Sequence, residues 1–98
     1  MNYSLLVRPE AQADLAESQR WYEERAVGLG RQFVEAVDDA LASILKNPLA
    51  YPVVRGIARR ALTKRFPYGV IFLVESNTVV ILAILHQMRD PELWARRA

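Results

Sequence analysis

The segment from Val79 to Leu85 is an unbroken run of seven apolar residues, and it constrains the fold more than any other part of the chain. Its β-branched residues favour a strand. Successive side chains of a strand point to opposite faces of a sheet, so this strand is apolar on both faces. It therefore requires either a central position covered on both sides or one face left free for a partner. The run is too short to span a bilayer, which takes about 20 residues in a helix.

Three other segments have the composition of β-strands. Tyr68–Glu75 is strongly apolar, and Ser76-Asn77 joins it to the strand Thr78–His86 as a tight hairpin, because asparagine tolerates the positive φ that such turns need. Arg59–Phe66 alternates only weakly and is rich in charge, which favours an edge strand. Tyr3–Arg8 is a short strand candidate near the start of the chain.

Two helices are predicted between the first strand and the others. The first begins at Pro9, a residue suited to the first turn of a helix, and runs to about Arg25. The second is amphipathic and ends at Asn47-Pro48. Gly28 and Gly30 separate the two helices and predict a short turn, hence a helical hairpin. The apolar stripe of the second helix consists of Phe33, Val37, Ala40, Leu41 and Ile44.

The order of these elements predicts the fold class. Leu49–Gly56, which contains Pro52, is predicted as a loop, and Asp90-Pro91 predicts a short last helix capped by Asp90. The resulting order is β-α-α-β-β-β. It predicts a single α+β domain over residues 1–98, in which a helical hairpin packs on one face of a mainly antiparallel four-stranded sheet, with a short C-terminal helix.

The composition excludes several classes of protein. Hydrophobic residues make up 52% of the chain and charged residues 24%, which is typical of a globular domain. The chain has no cysteine, so disulfide frameworks, thiol nucleophiles and zinc–thiolate sites are excluded. The N-terminus lacks the basic flank and long apolar run of a signal peptide, so we expect a cytoplasmic protein with no membrane partner.

The charges are distributed unevenly along the chain. Residues 1–45 contain four basic and eight acidic side chains, a net charge of −4, whereas residues 46–98 contain nine basic and three acidic ones, a net charge of +6. Eleven of the thirteen basic residues are arginine, whose planar guanidinium suits phosphate and carboxylate groups. The C-terminal half is therefore either a surface for an anionic partner or a solvated basic face.

Short motifs follow one another along nearly the whole chain. They are Ala13-Asp14-Leu15, Trp21-Tyr22-Glu23-Glu24, Gly28-Leu29-Gly30 with Phe33, Asn47-Pro48 with Tyr51-Pro52, Arg60 with Arg65-Phe66-Pro67-Tyr68, and His86 with Arg89-Asp90-Pro91 and Trp94. In this order they resemble the ParE/RelE superfamily of toxins from type II toxin–antitoxin modules. The resemblance implies a compact βααβββ toxin, acting without cofactor or metal and neutralised by a cognate antitoxin in a toxin–antitoxin hetero-oligomer.

The resemblance implies two different targets, and the fold alone does not choose between them. ParE-like members, which include plasmid stabilisation proteins, poison DNA gyrase and arrest growth, whereas RelE-like members cleave messenger RNA on the ribosome. RelE-like ribonucleases generally carry more acid–base residues, and several need an aromatic residue, commonly tyrosine, near the C-terminus, but here no tyrosine follows Tyr68. We therefore expect a ParE-like gyrase inhibitor. The alternatives are a ribosome-dependent endoribonuclease and a non-toxic family member that acts as a binding module.

The candidate site residues depend on which of these functions is correct. For a ribonuclease they are His86, Arg65 and Arg89, because a histidine can transfer protons near neutral pH and arginines can stabilise a pentacovalent phosphate. The alternative for His86, which we prefer, is a hydrogen bond to the backbone at the end of a strand. For binding of an antitoxin or a target, the candidates are Arg59, Arg60, Lys64, Arg65, Arg89 and Trp94.

Aromatic residues and the antitoxin complete the expectations. Trp21 and Tyr22 are predicted to pack in the core, because buried aromatic rings supply large apolar area. Trp94 either fixes the last helix to the sheet or helps to form the antitoxin groove. Antitoxin tails are typically acidic and fold on binding, so an arginine-rich strand beside Val79–Leu85 would offer such a tail both charge and apolar surface.

Overall fold

The computed structural model describes residues 2–97 and has the predicted order of elements with one additional strand. The strands are β1 (Ser4–Val7), β2 (Val53–Arg55), β3 (Ala58–Leu62), β4 (Tyr68–Glu75) and β5 (Thr78–His86). The helices are α1 (Pro9–Arg25), α2 (Leu29–Lys46) and α3 (Glu92–Ala95), and a 3₁₀ turn covers Pro48–Ala50.

The five strands form one mixed sheet in the order β1-β5-β4-β3-β2. β1 pairs with β5 in parallel, and the other neighbours are antiparallel. The predicted α+β class and the helical hairpin on the sheet are therefore confirmed. The number of strands is five rather than four. β5, which contains the long apolar run, lies inside the sheet between β1 and β4, which is the first of the two alternatives that its composition predicted.

The additional strand lies in the segment that was predicted as a loop. Val53 pairs with Arg59 and Arg55 with Ala58, and Gly56 has the positive φ of 58° that this tight connection needs. A strand of three exposed residues is too short to show alternation in the sequence. Because β2 covers it, β3 is not the edge strand that was expected.

β3 also ends earlier than predicted, at Leu62 rather than Phe66. Arg65 adopts a left-handed backbone with φ of 69°, and Pro67 lacks the N–H that a continuing ladder would use. The hydroxyl of Thr63 donates a hydrogen bond to the carbonyl of Phe66 at 2.7 Å, which closes this turn. The chain therefore reverses direction before Tyr68.

The helical hairpin covers one face of the sheet. Phe33, Val37 and Ile44 of α2 are fully buried against Val70, Phe72 and other apolar residues of β4 and β5. α1 and α2 approach each other closely at Gly30, where a Cβ atom would lie 2.6 Å from the carbonyl oxygen of Gln19. Glycine is therefore required at this crossing.

The opposite face of the sheet has its own smaller core. It contains Ile71 and Leu73 from β4 and a pair of consecutive residues, Leu82 and Ala83, from β5. Both members of that pair face this side because a β-bulge shifts the register between β4 and β5 at this point. Trp94 of α3 packs on this core and is 7% exposed, so it fixes the last helix to the sheet, which is the first of the two roles expected from the sequence.

Candidate functional site

β5 ends at His86, which marks the point where two grooves meet. His86 pairs in register with Tyr68 of β4, and their rings lie 5.5 Å apart in an edge-to-face arrangement. The Nδ1 atom of His86 accepts a hydrogen bond from the backbone N–H of Met88 at 3.0 Å. In the neutral ring the proton is therefore on Nε2, which makes the free nitrogen a donor. This is the strand-end hydrogen bond to the backbone that the sequence analysis preferred.

The first groove, here called the arginine groove, lies on the face of the sheet that carries Trp94 and has a volume of about 550 Å³. Its lining includes three arginines and no acidic side chain. Arg55 is paired with Glu92 at 2.8 Å, but both side chains are about half exposed, so this pair contributes little stability. The arginine groove is lined by Val54, Arg55, Arg60, Gly69, Ile71, Leu85, His86, Gln87, Arg89, Pro91 and Trp94.

Arg60 reaches the arginine groove because Gly69 leaves room for its side chain. A Cβ atom at Gly69 would lie 3.0 Å from Cδ and 3.2 Å from Cγ of Arg60. The aliphatic part of Arg60 therefore lies against the backbone of β4, and neither the ion pairs nor the side-chain hydrogen bonds of residues 2–97 include Arg60. Its charge adds to that of Arg89 in a groove that attracts anions.

The second groove, here called the aromatic groove, lies between α1 and the end of β5 and has a volume of about 420 Å³. It carries charges of both signs and shares Leu85, His86 and Arg89 with the arginine groove. The prediction that Trp21 packs in the core is wrong. Its side chain is 48% exposed, because it lies along the aromatic groove rather than in the core, and the guanidinium of Arg25 lies 3.6 Å from the centre of the ring. The groove is lined by Asp14, Glu17, Ser18, Trp21, Tyr22, Tyr68, Leu85, His86 and Arg89.

Tyr22 packs as predicted, and it connects the aromatic groove to the core. Its ring lies 5.2 Å from that of Phe33 and 5.0 Å from that of Phe66. Burial raises the pKa of Tyr22 above its ordinary value, and the nearby Tyr68 raises it further. The Tyr22 hydroxyl therefore stays protonated at neutral pH and can act only as a neutral hydrogen-bonding group in this groove.

Asp14 anchors the floor between α1, β5 and the C-terminal segment. Its carboxylate accepts hydrogen bonds from the backbone N–H of Ile84 at 3.1 Å and from the guanidinium of Arg97 at 2.7 Å. Arg97 also donates to the carbonyl of Leu82, and Arg8 donates to the carbonyl of Arg97. These contacts satisfy backbone groups of β5 beyond Ile81, where its pairing with β1 ends.

The predicted site residues separate into two groups in the structure. Arg60, His86, Arg89 and Trp94 all line the arginine groove. Arg59, Lys64 and Arg65 do not line it. Arg59 donates to the carbonyls of Leu49 and Tyr51 and so fixes the segment before β2.

Lys64 and Arg65 both lie nearer to α2 than to the grooves. Lys64 lines a small depression against α2, together with Asp39 and Leu62. Arg65 donates to the side chain of Gln32 at 3.2 Å. The three candidate catalytic residues are therefore not gathered at one place, because Arg65 is absent from the linings of both grooves that contain His86 and Arg89.

Three charged residues that line the grooves were missed from the sequence. Arg55 lay in the presumed loop, Asp14 was noted only within a motif, and Glu17 carried no signal of its own. What links Glu17 to the site is helical spacing, since residues 14, 17, 18 and 21 of α1 share one face. That face can be recognised as a wall of the aromatic groove only once β5 is known to pack beside it.

The described residues offer no metal site and no membrane-spanning helix. Within residues 2–97, no group of three or more histidine, cysteine, aspartate or glutamate side chains could coordinate a metal ion. None of the helices formed by these residues combines the length and the apolar character needed to cross a bilayer.

Solved structures with the same fold come from toxin–antitoxin systems. The chromosomal ParDE system of P. aeruginosa matches with a TM-score of 0.74 at 20% identity, over 86% of this chain and 95% of that one. The RelBE2 toxin–antitoxin complex of Mycobacterium tuberculosis matches with a TM-score of 0.59 at 20% identity, over 89% of this chain and 100% of that one. A mutant of E. coli toxin RelE in the free state matches with a TM-score of 0.58 at 15% identity, over 90% of this chain and 86% of that one.

At these identities the structural matches show the fold alone, and the sequence itself supplies the family. No curated protein matches the chain. The model of the family described as the ParE toxin of the type II toxin–antitoxin system, parDE, matches residues 5–91. This range includes α1, α2, strands β2 to β5 and all of β1 except Ser4, and it leaves out α3. The chain thus belongs to the ParE family of toxins of type II toxin–antitoxin systems.

Proposed function

We propose that this chain is the toxin of its module, that it inhibits DNA gyrase and so arrests growth, and that an acidic antitoxin neutralises it. The family match supports the ParE-like branch over the RelE-like one. The observation that carries the choice is the hydrogen bond from the Met88 N–H to Nδ1 of His86. It leaves a nitrogen that donates, whereas a ribonuclease needs a base that accepts the proton of the attacking hydroxyl.

The surroundings of His86 support the same choice. The side-chain hydrogen bonds found within residues 2–97 include none between His86 and a carboxylate that could orient the ring. Arg65 bonds to Gln32 of α2, away from His86. A general base without an orienting partner, and without a second acid–base group in hydrogen-bond contact, is poorly prepared for phosphodiester cleavage.

The direct biochemical test is a gyrase supercoiling assay with stoichiometric pure protein. We expect supercoiling to be lost or cleaved DNA to accumulate, and His86→Ala to leave this inhibition nearly unchanged. Arg20→Gln, on an exposed part of α1, serves as a surface control. Unchanged gyrase activity at stoichiometric amounts would remove the proposal.

A ribosome-dependent endoribonuclease is the second candidate, and the arginine groove favours it. Arg60 and Arg89 lie there beside His86, with no acidic side chain in the lining. Cations of this kind would stabilise a pentacovalent phosphate. If the candidate is correct, ribosome-bound messenger RNA will be cleaved by the wild type, and His86→Ala and Arg89→Ala will each slow the cleavage. Cleavage that survives His86→Ala excludes this histidine as the catalytic group.

The antitoxin is proposed from the charge of the grooves and the family. Acidic segments suit the arginine groove, and the sheet ends in a free edge at β2, whose Val53 is 50% exposed. A disordered tail can add a strand to such an edge while placing carboxylates near the arginines. We expect a small acidic protein encoded beside this one to form a stable complex with it. The absence of any such binding neighbour would contradict this part of the proposal.

A further inference from the structure

The aromatic groove and the arginine groove adjoin at the end of β5, and together they could hold one ligand with two chemically different ends. They share Leu85, His86 and Arg89. Their volumes, about 420 and 550 Å³, are each in the usual range for small-molecule sites. One end of such a ligand would meet aromatic rings and the other would meet arginines.

The aromatic groove selects a ligand group that is flat and carries both donors and acceptors. Glu17 lies on the α1 side and takes part in no ion pair formed by residues 2–97, while Asp14 is already bonded to Arg97. His86 and Arg89 lie on the other side and offer N–H donors. A simple cation would be repelled by Arg89, and a simple anion by Glu17. A neutral ring with donors on one edge and acceptors on another would satisfy both sides.

Guanine has these properties. Its N1–H and N2–H₂ groups can both donate to one carboxylate, and its O6 and N7 atoms accept hydrogen bonds from arginine in the geometry known from nucleic-acid recognition. Base stacking on aromatic side chains stabilises such complexes. Trp21 is half exposed at the groove, and Tyr22 and Tyr68 complete its aromatic wall.

The arginine groove suits a phosphate. Arg60, placed there by the space above Gly69, can donate to phosphate oxygens, and the lining of this groove has no carboxylate to repel them. We propose that the two grooves together bind a guanine nucleotide, with the base between Trp21, Glu17 and Arg89 and the phosphate towards Arg60. The proposal goes beyond gyrase inhibition and does not depend on it.

Isothermal titration calorimetry on the full chain tests this binding with GMP, AMP, guanosine and inorganic phosphate as probes. GMP should bind at least about tenfold more tightly than AMP, because adenine cannot form the same pair of hydrogen bonds with the carboxylate and the arginine. Guanosine should bind more weakly than GMP because it lacks the phosphate. Glu17→Gln should abolish the preference for GMP over AMP. Arg60→Gln should reduce GMP binding to the level of guanosine while leaving guanosine binding unchanged.

Matched variants and a strand probe make the test specific. Glu24→Gln and Arg20→Gln change the same charges on exposed parts of α1 outside the grooves and should bind GMP as the wild type does. A 2′-O-methyl tetranucleotide with one guanine distinguishes a guanine within a nucleic-acid strand from a free nucleotide as the ligand. Tighter binding than GMP, still lost in Glu17→Gln, would assign the site to a guanine within a strand. Equal binding would assign it to the free nucleotide.

Any of three results would overturn the proposal. The first is the absence of binding by both GMP and the tetranucleotide at millimolar concentration. The second is equal affinity for GMP and AMP. The third is a GMP preference that persists in Glu17→Gln with the fold intact by circular dichroism. None of these results bears on the gyrase assay, so the two proposals fail separately.

Discussion

At the scale of single residues, the helical hairpin depends on a carboxylate that serves a helix other than its own. Glu23 lies in the last turns of α1, but its two carboxylate oxygens accept hydrogen bonds from the backbone N–H groups of Gly28 and Gly30 at 2.9 and 3.0 Å. These donors lie at the start of α2, where helical N–H groups have no partner within the helix. Gly28 itself has φ of 86°, which only glycine adopts without strain. The motif Trp21-Tyr22-Glu23-Glu24 followed by Gly28-Leu29-Gly30 is thus a capping device.

Glu23→Ala should therefore destabilise the fold by about 1 kcal/mol, the usual cost of losing a helix N-cap. Chemical denaturation measures this loss directly. Glu24→Ala, an exposed neighbour on the same helix without these hydrogen bonds, should cost much less. Equal losses for the two variants would mean that the cap contributes nothing to stability.

Tyr22 predicts how stability responds to alkaline pH. Because burial and Tyr68 raise its pKa in the folded state, the folded protein retains this proton more strongly than the unfolded chain. The corresponding stability is fully present below the pKa of tyrosine in the unfolded chain, about 10. It is lost as the pH rises through the higher pKa of Tyr22 in the folded protein. Tyr22→Phe should flatten the fall in stability above that pH in denaturation curves. An unchanged slope, with Tyr3→Phe as the hydroxyl-deletion control, would contradict the burial of this group.

At the scale of elements, the C-terminal segment is joined to α1 and β5 by Asp14 and Arg97. Both side chains are largely buried, with 11% and 20% of their surfaces exposed, and they satisfy backbone groups of β5 that have no strand beside them. Trp94 packs a few residues earlier on the second core. The chain after β5 is therefore part of the fold and covers the face of the sheet that the helices leave open.

Removal of either partner should cost about 1–3 kcal/mol, because it leaves a buried polar group without a hydrogen bond. Asp14→Ala, Arg97→Ala and the double variant form a thermodynamic cycle. We expect an interaction energy of roughly 0.5–3 kcal/mol between the two positions, as for residues in direct contact. Strictly additive losses in urea denaturation would show that the pair does not join the two elements. Arg96→Ala, an exposed neighbour, should be nearly neutral.

At the scale of the whole molecule, the sequence predicted the layers well and the site only in part. Val79–Leu85 predicted either cover on both faces or one face left free for a partner. It has cover on both faces, with α1 and α2 on one side and the segment around Trp94 on the other. Strand β2 was missed because three residues show no alternation. Asp14 and Arg97 are 83 positions apart, so only the packing of α1 beside β5 brings them together. The grooves likewise need several elements to converge, which no local pattern encodes.

The basic half of the chain predicts how salt affects antitoxin binding. Arg60 and Arg89 lie together in the arginine groove, so their attraction for an acidic tail should be screened by added salt. Replacing both with glutamine should weaken the complex and flatten its salt dependence in calorimetric titrations. Replacing Arg20 and Lys46, which are exposed outside the groove, removes the same charge and should change the affinity and its salt dependence much less. An equal effect of the two pairs would mean that total charge alone determines binding.

Plasmid topology in a bacterial host, measured during tightly induced expression with growth followed in parallel, tests the central claim most directly. If the chain is a ParE-type inhibitor, growth will stop and the plasmid will be relaxed or cleaved, and His86→Ala will behave in the same way. Growth arrest with normal supercoiling would contradict gyrase as the target and would direct attention to the ribosome.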